Sequence, residues 1–472
     1  MKINDRAMTP GLTDPAVPSA TDMNTHMFHR SSRAPPPMAA GGKGIELIGA
    51  DGRRYIDASG GAAVSCLGHG HPVVTRAIVA QAERLAYAHT SFFTNQPAER
   101  LAENLAGATA GRLNHVYFVD SGSEAVETAL KMARQYHLEC GQAQRIRIVS
   151  RAQSYHGNTL GALSVSGNPA RRAPYQPLLF ETSQIEPCFA YHYAGPDETA
   201  EAYGRRAADS LEAELLRVGP ETVMAFIAET VVGATAGAVP PSPGYLKRIR
   251  EICDRYGVLL ILDEVMCGTG RTGTFLACEQ DDVIPDIVTL AKGLGGGYQP
   301  IAAAICTDEV YAAFEQGSGA FRHGHTYSAH PIACAAALAV QQVIHDEGLV
   351  ARVRQTGEYL HDTLTARFGQ HIHVGDIRGR GLLRAIELVA DRRTKVPFDP
   401  SFSLNLRVKS AAFERGLLVY PGGGTVDGRH GDHILLAPPY IATNQQIDLI
   451  VDRLADALEA ALTSLAADGL AA

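Results

Sequence analysis

The sequence predicts an α/β protein with a large domain, built on a mostly parallel sheet with helices on both faces, and a smaller α+β domain. From about residue 75 to 330, apolar runs of strand length alternate with amphipathic helical stretches, the pattern of parallel strands buried on both faces. After about residue 331, an Ala-rich helical stretch leads into a region of mixed pattern. At 472 residues, the chain also exceeds the roughly 250–300 at which a single hydrophobic core stops growing, so more than one domain is expected.

The strands of the large domain are predicted from short apolar runs. They are 116–119, 147–149, 224–228, 258–262 and 287–290. A helix is predicted to begin at Ser121, because apolar residues then recur at i, i+3, i+4 and i+7 and form one stripe. They are Val126, Ala129, Leu130 and Ala133. Nearer the N-terminus, the Asp-Gly turn signal at 51–52 separates two strand-like segments, 45–48 and 54–57, which predicts a hairpin.

Composition and charge exclude several classes of function. The 42 Lys and Arg against 50 Asp and Glu give a formal net charge of −8, and no long basic run is present, so binding of nucleic acid or an anionic membrane is not expected. No apolar run reaches the about 18 residues of a membrane span, and the N-terminal residues lack the features of a secretory signal. The eight cysteines are scattered without a Cys-x-x-Cys pair, which indicates reduced thiols and a cytoplasmic protein.

The turn after the strand at 116–119 is a candidate phosphate site. It contains Ser121, Gly122 and Ser123, and Glu124 follows Ser121 at the spacing of a capping box. Backbone N–H groups at a helix start, with the positive end of the helix dipole and two hydroxyls, can bind phosphate. The alternative is that Ser121 only caps the helix.

Three charged residues follow buried strands of the predicted sheet: Glu229, Asp263 and Lys292. Burying such groups costs free energy unless they are paired or functional, and taken singly each could be a salt-bridged strand end. Taken together they indicate a chemistry, because a lysine among apolar neighbours can lose its proton and form a Schiff base. Pyridoxal 5′-phosphate (PLP) is the cofactor that needs such a lysine, a carboxylate beside its pyridine nitrogen and an anchored phosphate. Tyr155 offers an aromatic face for the ring or, alternatively, packs as an ordinary loop residue.

Two competing motifs are weaker. The stretch 268–273 matches G-x-G-x-x-G, which would indicate a nicotinamide-dependent oxidoreductase. However, Asp263 and Glu264 stand between the strand and the glycines and would repel a pyrophosphate, and no long helix is predicted after the loop. Three His-x-His pairs lack further ligands at a recognised spacing, so no metal is expected. These pairs begin at His69, His323 and His371.

From about Gly44 to the C-terminus, the sequence resembles the class III aminotransferases of the fold-type I PLP-dependent enzymes. Six motifs in matching order and spacing carry the resemblance. They are Ser-Gly-Ser-Glu-Ala at 121–125, Tyr-His-Gly at 155–157, Asp-Glu-Val at 263–265, Gly-Arg-Thr-Gly at 270–273, Ala-Lys-Gly-Leu-Gly-Gly-Gly at 291–297, and His-Thr-Tyr with Pro331 at 325–331. The resemblance implies two domains: a large PLP-binding domain over 75–330, and a split small domain over 26–74 and 331–472 that follows a flexible arm over 1–25.

The resemblance also implies roles for individual residues. Lys292 would form the Schiff base and then move a proton between the substrate carbon and the cofactor carbon, while Asp263 would keep the pyridine nitrogen protonated. Val265 and Tyr155 would pack on opposite faces of the ring. The other cofactor-binding residues would be Ser121, Gly122 and Ser123 around the phosphate, His156, Glu229 near the 3′-hydroxyl, and Thr326 from a second subunit. The resemblance therefore implies a homodimer or a dimer of dimers.

Departures from the family pattern bear on the substrates. Members that use 2-oxoglutarate carry Gly-Glu-Ala-Gly after the strand at Glu229 and an arginine two residues before Ala-Pro-Pro, whereas this chain has Gly-Ala-Thr-Ala-Gly at 233–237 and Leu435. We therefore expect an amine or ω-amino acid as donor and a keto acid, pyruvate, as acceptor. Arg429, in a glycine-rich loop, is a candidate mobile clamp for the keto-acid carboxylate or, alternatively, a solvated loop arginine.

Four further residues resemble segments that line the family's substrate channel, although they could equally belong to the core. They are Leu67, Phe92, Phe93 and Tyr327. Class III relatives with the same motifs include decarboxylases, racemases and lyases. A different reaction on the same cofactor is therefore the alternative to amino transfer.

Overall fold

The computed structural model describes residues 26–31 and 35–468, so the arm predicted over 1–25 lies outside the described residues. Within that part of the chain, three sheets are formed by β1 (Ala39–Lys43), β2 (Glu46–Gly49), β3 (Arg54–Asp57), β4 (His115–Val119), β5 (Arg147–Arg151), β6 (Ser183–Ile185), β7 (Val223–Glu229), β8 (Leu259–Asp263), β9 (Ile287–Leu290), β10 (Ala302–Cys306), β11 (Val374–Arg380), β12 (Leu383–Leu388), β13 (Leu417–Leu418), β14 (Tyr420–Gly423) and β15 (Asp432–Leu436).

The α-helices are α1 (Gly60–Ala63), α2 (Pro72–Arg84), α3 (Gln96–Ala108), α4 (Gly122–Glu139), α5 (Leu160–Val165), α6 (Pro169–Arg172), α7 (Ala190–Tyr193), α8 (Ala200–Val218), α9 (Tyr245–Tyr256), α10 (Asp308–Gln316), α11 (Pro331–Asp346), α12 (Leu349–Phe368), α13 (Leu404–Glu414) and α14 (Asn444–Ala467). Among the described residues, no helix is both long enough and apolar enough to cross a lipid bilayer.

The large sheet has seven strands in the order β4-β10-β9-β8-β7-β5-β6. Neighbouring strands are parallel from β6 to β9, and β10 runs antiparallel to both β9 and β4. The predicted mostly parallel sheet is therefore confirmed. The sequence does not predict β6, which has only three residues, or β10, which begins with three alanines, because neither is rich in β-branched or aromatic residues.

Both faces of the large sheet are buried, as its apolar strands predict. Successive residues of β7 enter different cores: Phe226 joins the cluster that includes residues of α8 and α9, and Ile227 joins the cluster that includes α4. On α4, the predicted stripe from Val126 to Ala133 is buried. Alternation along a strand points successive side chains to opposite faces, so helices cover both.

The carboxyl ends of the parallel strands bring charged residues to one edge of the sheet. Glu229 ends β7 and lies opposite Asp263, which ends β8. Asp263 in turn lies opposite Thr289 of β9, and Lys292 follows that strand by two residues. Ligands of open parallel sheets bind at this edge.

Segments from the two ends of the chain share one small sheet and one hydrophobic core. The predicted hairpin is present, since β2 and β3 pair antiparallel. Strand β3 also pairs in parallel with β13, with Ile56 opposite Leu417. Ile45 and Ile56 share a core with α14 residues such as Leu454. The third sheet is antiparallel, in the order β11-β12-β15-β14.

A close approach of α12 to the β11–β12 turn leads to a stability prediction. A Cβ at Gly357 of α12 would stand 2.4 Å from the backbone carbonyl carbon of Gly381. Gly357→Ala should therefore lower the free energy of unfolding by about 1–3 kcal/mol, although alanine normally favours helices. Gly107→Ala in α3 is the matched control, because a Cβ there meets nothing within 4 Å, and it should stabilise the protein by about 0.5–1 kcal/mol. Denaturant unfolding of both variants tests the prediction. Changes in the free energy of unfolding that have the same sign in both variants would contradict it.

Candidate active site

A cavity of about 630 Å³ opens at the carboxyl edge of the large sheet. Nine of the residues predicted to bind a cofactor line it together: Ser121, Gly122, Ser123, Tyr155, His156, Glu229, Asp263, Val265 and Lys292. These residues come from the carboxyl ends of five strands, β4, β5, β7, β8 and β9, and from the loops that follow them. The fold thus brings together groups that lie up to 171 residues apart, between Ser121 and Lys292.

Asp263 is held in a fixed orientation on the floor of the cavity. Its Oδ2 lies 2.8 Å from His156 Nδ1, and its Oδ1 accepts hydrogen bonds from Val265 N at 3.0 Å and Thr289 Oγ1 at 3.3 Å. Because a carboxylate only accepts, the His156 proton lies on Nδ1. Both side chains are buried. His156 therefore orients a carboxylate that faces the cavity.

Glu229 links two backbone segments of the site. Its Oε1 accepts a hydrogen bond from Tyr155 N and its Oε2 accepts one from Gly233 N, both at 2.9 Å. Burial raises the pKa of the Glu229 carboxyl. The Glu229 side chain thus fixes the loop that carries the Tyr155 ring.

Lys292 lines the cavity, and two features of its environment bear on its chemistry. Burial lowers the pKa of its ammonium group, while Asp263 and Glu229 act in the opposite direction. A lowered pKa favours the neutral amine, which is the form that acts as nucleophile and base. In addition, Lys292 has a φ of +47°, in the left-handed region that a lysine rarely adopts. Such strain clusters at functional sites, but no sequence pattern reveals it.

The start of α4 provides two free backbone donors. Among the described residues, neither Gly122 N nor Ser123 N has a hydrogen-bond acceptor. A Cβ at Gly122 would come within 2.9 Å of Val265 Cγ1, so only glycine lets the helix begin this close to Val265. Because α4 is 18 residues long and begins here, the positive end of its dipole also points into this site. This arrangement suits an anionic phosphate.

The capping box predicted for α4 is only half formed. Ser121 Oγ accepts a hydrogen bond from Glu124 N at 3.3 Å, as a cap should. The Glu124 carboxylate accepts from Asp120 N at 3.0 Å rather than from Ser121 N. The prediction of a reciprocal box is therefore wrong, because the carboxylate reaches one residue further back along the chain.

The remaining predicted site residues do not line this cavity. Thr326 and Tyr327 are exposed, and the Thr326 carbonyl accepts a hydrogen bond from Tyr87 Oη at 2.8 Å. Phe92 and Phe93 are 80% and 69% exposed. Leu67 is buried in the core that joins the two ends of the chain, and Arg429 is exposed on its loop, with its backbone N–H donating to Asp427.

Sequence reasoning missed several lining residues, among them two arginines. The guanidinium carbon of Arg171 lies 4.5 Å from the centroid of the Tyr155 ring, and Arg30 also lines the cavity. Tyr420 also lines the cavity. None of these three residues directly follows a strand of the large sheet, so they could not be predicted from the strand ends.

The glycine-rich stretch 268–273 has a structural role. Arg271 is buried, donates hydrogen bonds to the carbonyls of Leu382 and Pro438, and lies 4.6 Å from the ring centroid of Tyr440. The stretch leads into a short 3-10 helix, Ala277–Asp281. It does not line the cavity. It therefore ties β8 to the C-terminal part of the chain and lacks the long helix that a dinucleotide-binding loop requires.

The histidine pairs make local contacts. His69 pairs with Asp57 at 3.3 Å, His323 with Thr128 Oγ1 at 2.9 Å and His371 with Glu459 at 3.0 Å. Within residues 26–31 and 35–468, no group of three or more His, Cys, Asp or Glu side chains is arranged to hold a metal ion.

Glu264, next to Asp263, leads to a pH prediction. Its buried carboxyl accepts hydrogen bonds from the backbone of Ala277 and Cys278 and from the Thr230 hydroxyl, and burial raises its pKa from 4.5 to about 7. The folded state thus favours the neutral carboxyl, so its contribution to stability is complete below the unfolded pKa and is lost as the pH rises through about 7.

Unfolding by urea should therefore show a loss of about 3 kcal/mol between about pH 5 and about pH 8 that comes from this group. Glu264→Gln cannot titrate and should lack this component. Parallel pH profiles for the two proteins would contradict the prediction.

Comparison with known proteins places this geometry in a family. Residues 27–458 match the model of the class III aminotransferase family. The chain is 47% identical over 446 residues to an uncharacterised aminotransferase of Schizosaccharomyces pombe, covering 94% of this chain and 97% of the relative. It is 36% identical over 442 residues to the diaminobutyrate–2-oxoglutarate transaminase of Halomonas elongata, covering 92% and 93%. The structure of an ω-transaminase from Pseudomonas jessenii in complex with PMP superimposes with a TM-score of 0.86 at 33% identity, covering 91% of this chain and 94% of that one.

The chain therefore belongs to the class III aminotransferases, enzymes that depend on PLP and share the fold-type I architecture. The resemblance on which the motifs were interpreted is confirmed, and so is the predicted fold class.

Proposed function

We propose that this enzyme binds PLP on Lys292 and transfers an amino group from an amine or ω-amino acid to a keto acid, with pyruvate as the preferred acceptor. One observation carries the proposal: a partly buried lysine of lowered pKa, an oriented carboxylate and a helix N-terminus with free donors line a single cavity. This donor set fits the amine-reactive, pyridine and phosphate groups of PLP.

Each residue has a defined task in this proposal. Gly122 N and Ser123 N hold the phosphate, with the Ser121 and Ser123 hydroxyls beside them. Asp263, oriented by His156, stabilises a proton on the pyridine nitrogen. Val265 and Tyr155 hold the ring between them, and Glu229 fixes the Tyr155 backbone. Bound there, PLP provides an electron sink for the carbon that loses a proton. Lys292 Nζ takes that proton and returns it.

The residues expected to recognise 2-oxoglutarate in relatives are replaced here by uncharged ones. Leu435 is fully buried in an apolar cluster, and Ala234 lines the cavity where relatives that use 2-oxoglutarate carry a glutamate in the corresponding motif. The Pseudomonas jessenii structure is that of an ω-transaminase. These features support pyruvate and an ω-type donor, although the Halomonas elongata relative is named for 2-oxoglutarate.

We propose further that the enzyme is a homodimer or a dimer of dimers, in which Thr326 completes the phosphate site of the partner. The support is an exposed apolar surface beside Thr326. Phe92 and Phe93 are largely exposed, and the rings of Tyr87 and Tyr327 lie 5.7 Å apart. Exposed aromatic patches of this kind mark interfaces. The same assembly would bring Phe92, Phe93 and Tyr327 to a substrate channel, to which Leu67 contributes from within the chain.

The predicted domain division and location belong to the same proposal. The small domain over 26–74 and 331–472 is supported by the β3–β13 pairing and the shared core, with the large domain over 75–330. All eight cysteines are free thiols, seven of them buried, which supports a cytoplasmic location.

A screen of donors and acceptors tests the reaction. The purified enzyme is incubated with pyruvate and a panel of amines and ω-amino acids, and alanine is quantified against the donor consumed. Stoichiometric alanine formation is expected. Release of carbon dioxide or ammonia, or racemisation without alanine, would support the alternative of a decarboxylase, lyase or racemase.

The proposed clamp at Arg429 predicts a selective defect. If the Arg429 guanidinium moves in to bind the carboxylate of the acceptor, Arg429→Ala should lower kcat/KM for pyruvate by about 10-fold or more and leave the amine half-reaction within about threefold. Arg367→Ala, at an exposed position of α12, is the control. Single-turnover kinetics of the two half-reactions provide the measurement, and an equal loss in both would contradict the clamp.

A further inference from the structure

Two cavity arginines have no task in the proposed function. Arg171 belongs to α6, and Arg30 belongs to the described segment 26–31. Both line the same cavity as Lys292. Neither has an acidic partner within 4.0 Å among residues 26–31 and 35–468. An unpaired guanidinium in an enzyme cavity is available to an anionic ligand.

The carboxylates of the cavity do not neutralise these arginines. Asp263 is engaged with His156, Val265 and Thr289, and Glu229 accepts two backbone hydrogen bonds. Asp120 lies in the turn before α4 and forms no ion pair with either arginine, within the described part of the chain. The positive charge of Arg171 therefore faces the open cavity.

A series of hydrogen bonds holds the backbone that carries Arg171. Its backbone N–H donates to Asn168 Oδ1 at 3.1 Å, which caps α6. The buried Asn168 side chain donates to Gln153 Oε1 at 3.1 Å, and Gln153 Nε2 donates to the Gly424 carbonyl at 3.2 Å. The guanidinium is then placed over the Tyr155 ring. A cation–π contact uses none of the guanidinium N–H groups as hydrogen-bond donors, so they can still bind a bidentate acceptor.

We propose that Arg171 binds the carboxylate of the substrates, so that the enzyme favours keto acids and amino acids over amines that lack a carboxylate. This inference rests on the proposed function, because it takes the Tyr155 ring to lie against the cofactor. Arg171 and Lys292 line the same cavity, so a carboxylate on Arg171 would share that cavity with the reacting atoms. Arg171 thus supplies the fixed cation that Leu435 cannot, independently of the mobile Arg429.

A binding measurement tests Arg171 without any reaction. Hexanoate carries a carboxylate but no amino or keto group, and its Kd for the holoenzyme is measured by titration calorimetry. Arg171→Met should raise this Kd about 10- to 100-fold, the loss expected for a charge-assisted hydrogen-bonding pair. Arg171→Gln should raise the Kd by a similar factor. Agreement between an apolar and a polar replacement would show that the loss comes from the missing charge and not from changed packing. Arg367→Met should match the wild type. A change below about twofold in both Arg171 variants would overturn the proposal.

A kinetic comparison separates carboxylate binding from positioning of Tyr155. For 6-aminohexanoate, kcat/KM should fall at least about 10-fold in Arg171→Met, whereas for hexylamine it should stay within about threefold. Equal losses for both donors, or loss of the bound cofactor's visible absorbance, would mean that Arg171 only supports the Tyr155 ring, and would overturn the proposal. If the wild type aminates no acceptor at all, the proposed function fails, and the hexanoate titration still decides the role of Arg171.

Discussion

Lys292→Ala should abolish amino transfer, lowering kcat by at least about 10³-fold, because the same side chain is proposed to hold the cofactor and to move the proton. Among the described residues that line the cavity, no second lysine can replace it. Burial lowers the pKa of its amine, which favours the neutral, nucleophilic form relative to a surface lysine. Single-turnover reactions with a donor amine provide the measurement.

The spectrum of the purified protein gives an independent readout. The wild type should show the visible absorbance of lysine-bound PLP, and Lys292→Ala should change it. Lys409→Ala, at an exposed position of α13, is the matched control and should leave both rate and spectrum unchanged. Circular dichroism checks that the variant is folded. If the wild type shows no such band and the variant spectrum is identical, the assignment of Lys292 is wrong.

Asp263→Asn should lower kcat/KM at least about 100-fold, because the variant removes the negative charge that His156 orients and that is proposed to stabilise the proton on the pyridine nitrogen of the cofactor. The side chain keeps its size, so packing on Val265 and Thr289 should change little. Steady-state kinetics with the best donor and acceptor pair provide the measurement.

Thr289→Val is the control for Asp263→Asn. It removes the 3.3 Å hydrogen bond to Asp263 Oδ1 but keeps the charge and the volume. We expect a loss below about 10-fold, typical of one neutral hydrogen bond. If the two variants are equally impaired, the charge of Asp263 is not what the reaction requires.

Much of the candidate site could be predicted because its residues follow strands. Buried strands show as apolar runs, and Asp263 and Lys292 stand out where those runs end. The start of α4 was visible for a similar reason, since a capping serine precedes a periodic apolar stripe. The strand β10 could not be predicted, because three consecutive alanines show neither the alternation of a strand nor the 3.6-residue period of a helix.

Other features depend on contacts between distant segments. Arg171 lies on a four-residue helix, and its place above Tyr155 follows from the Asn168, Gln153 and Gly424 hydrogen bonds. The approach of Gly357 to Gly381 likewise joins a helix to a turn that no local pattern relates. Phe92 and Thr326 are exposed in the single chain, so the roles proposed for them require a second subunit.

The sequence by itself determined the fold class, the order of the large-domain motifs and the family, because periodicity and motif spacing are local properties of the chain. The tertiary structure alone decided that Glu229 lies opposite Asp263, that His156 orients the Asp263 carboxylate, and that an unpredicted Arg171 faces the cavity. Register, burial and electrostatic environment arise only when distant segments pack together, and they set the pKa of Lys292 and the charge that a substrate meets.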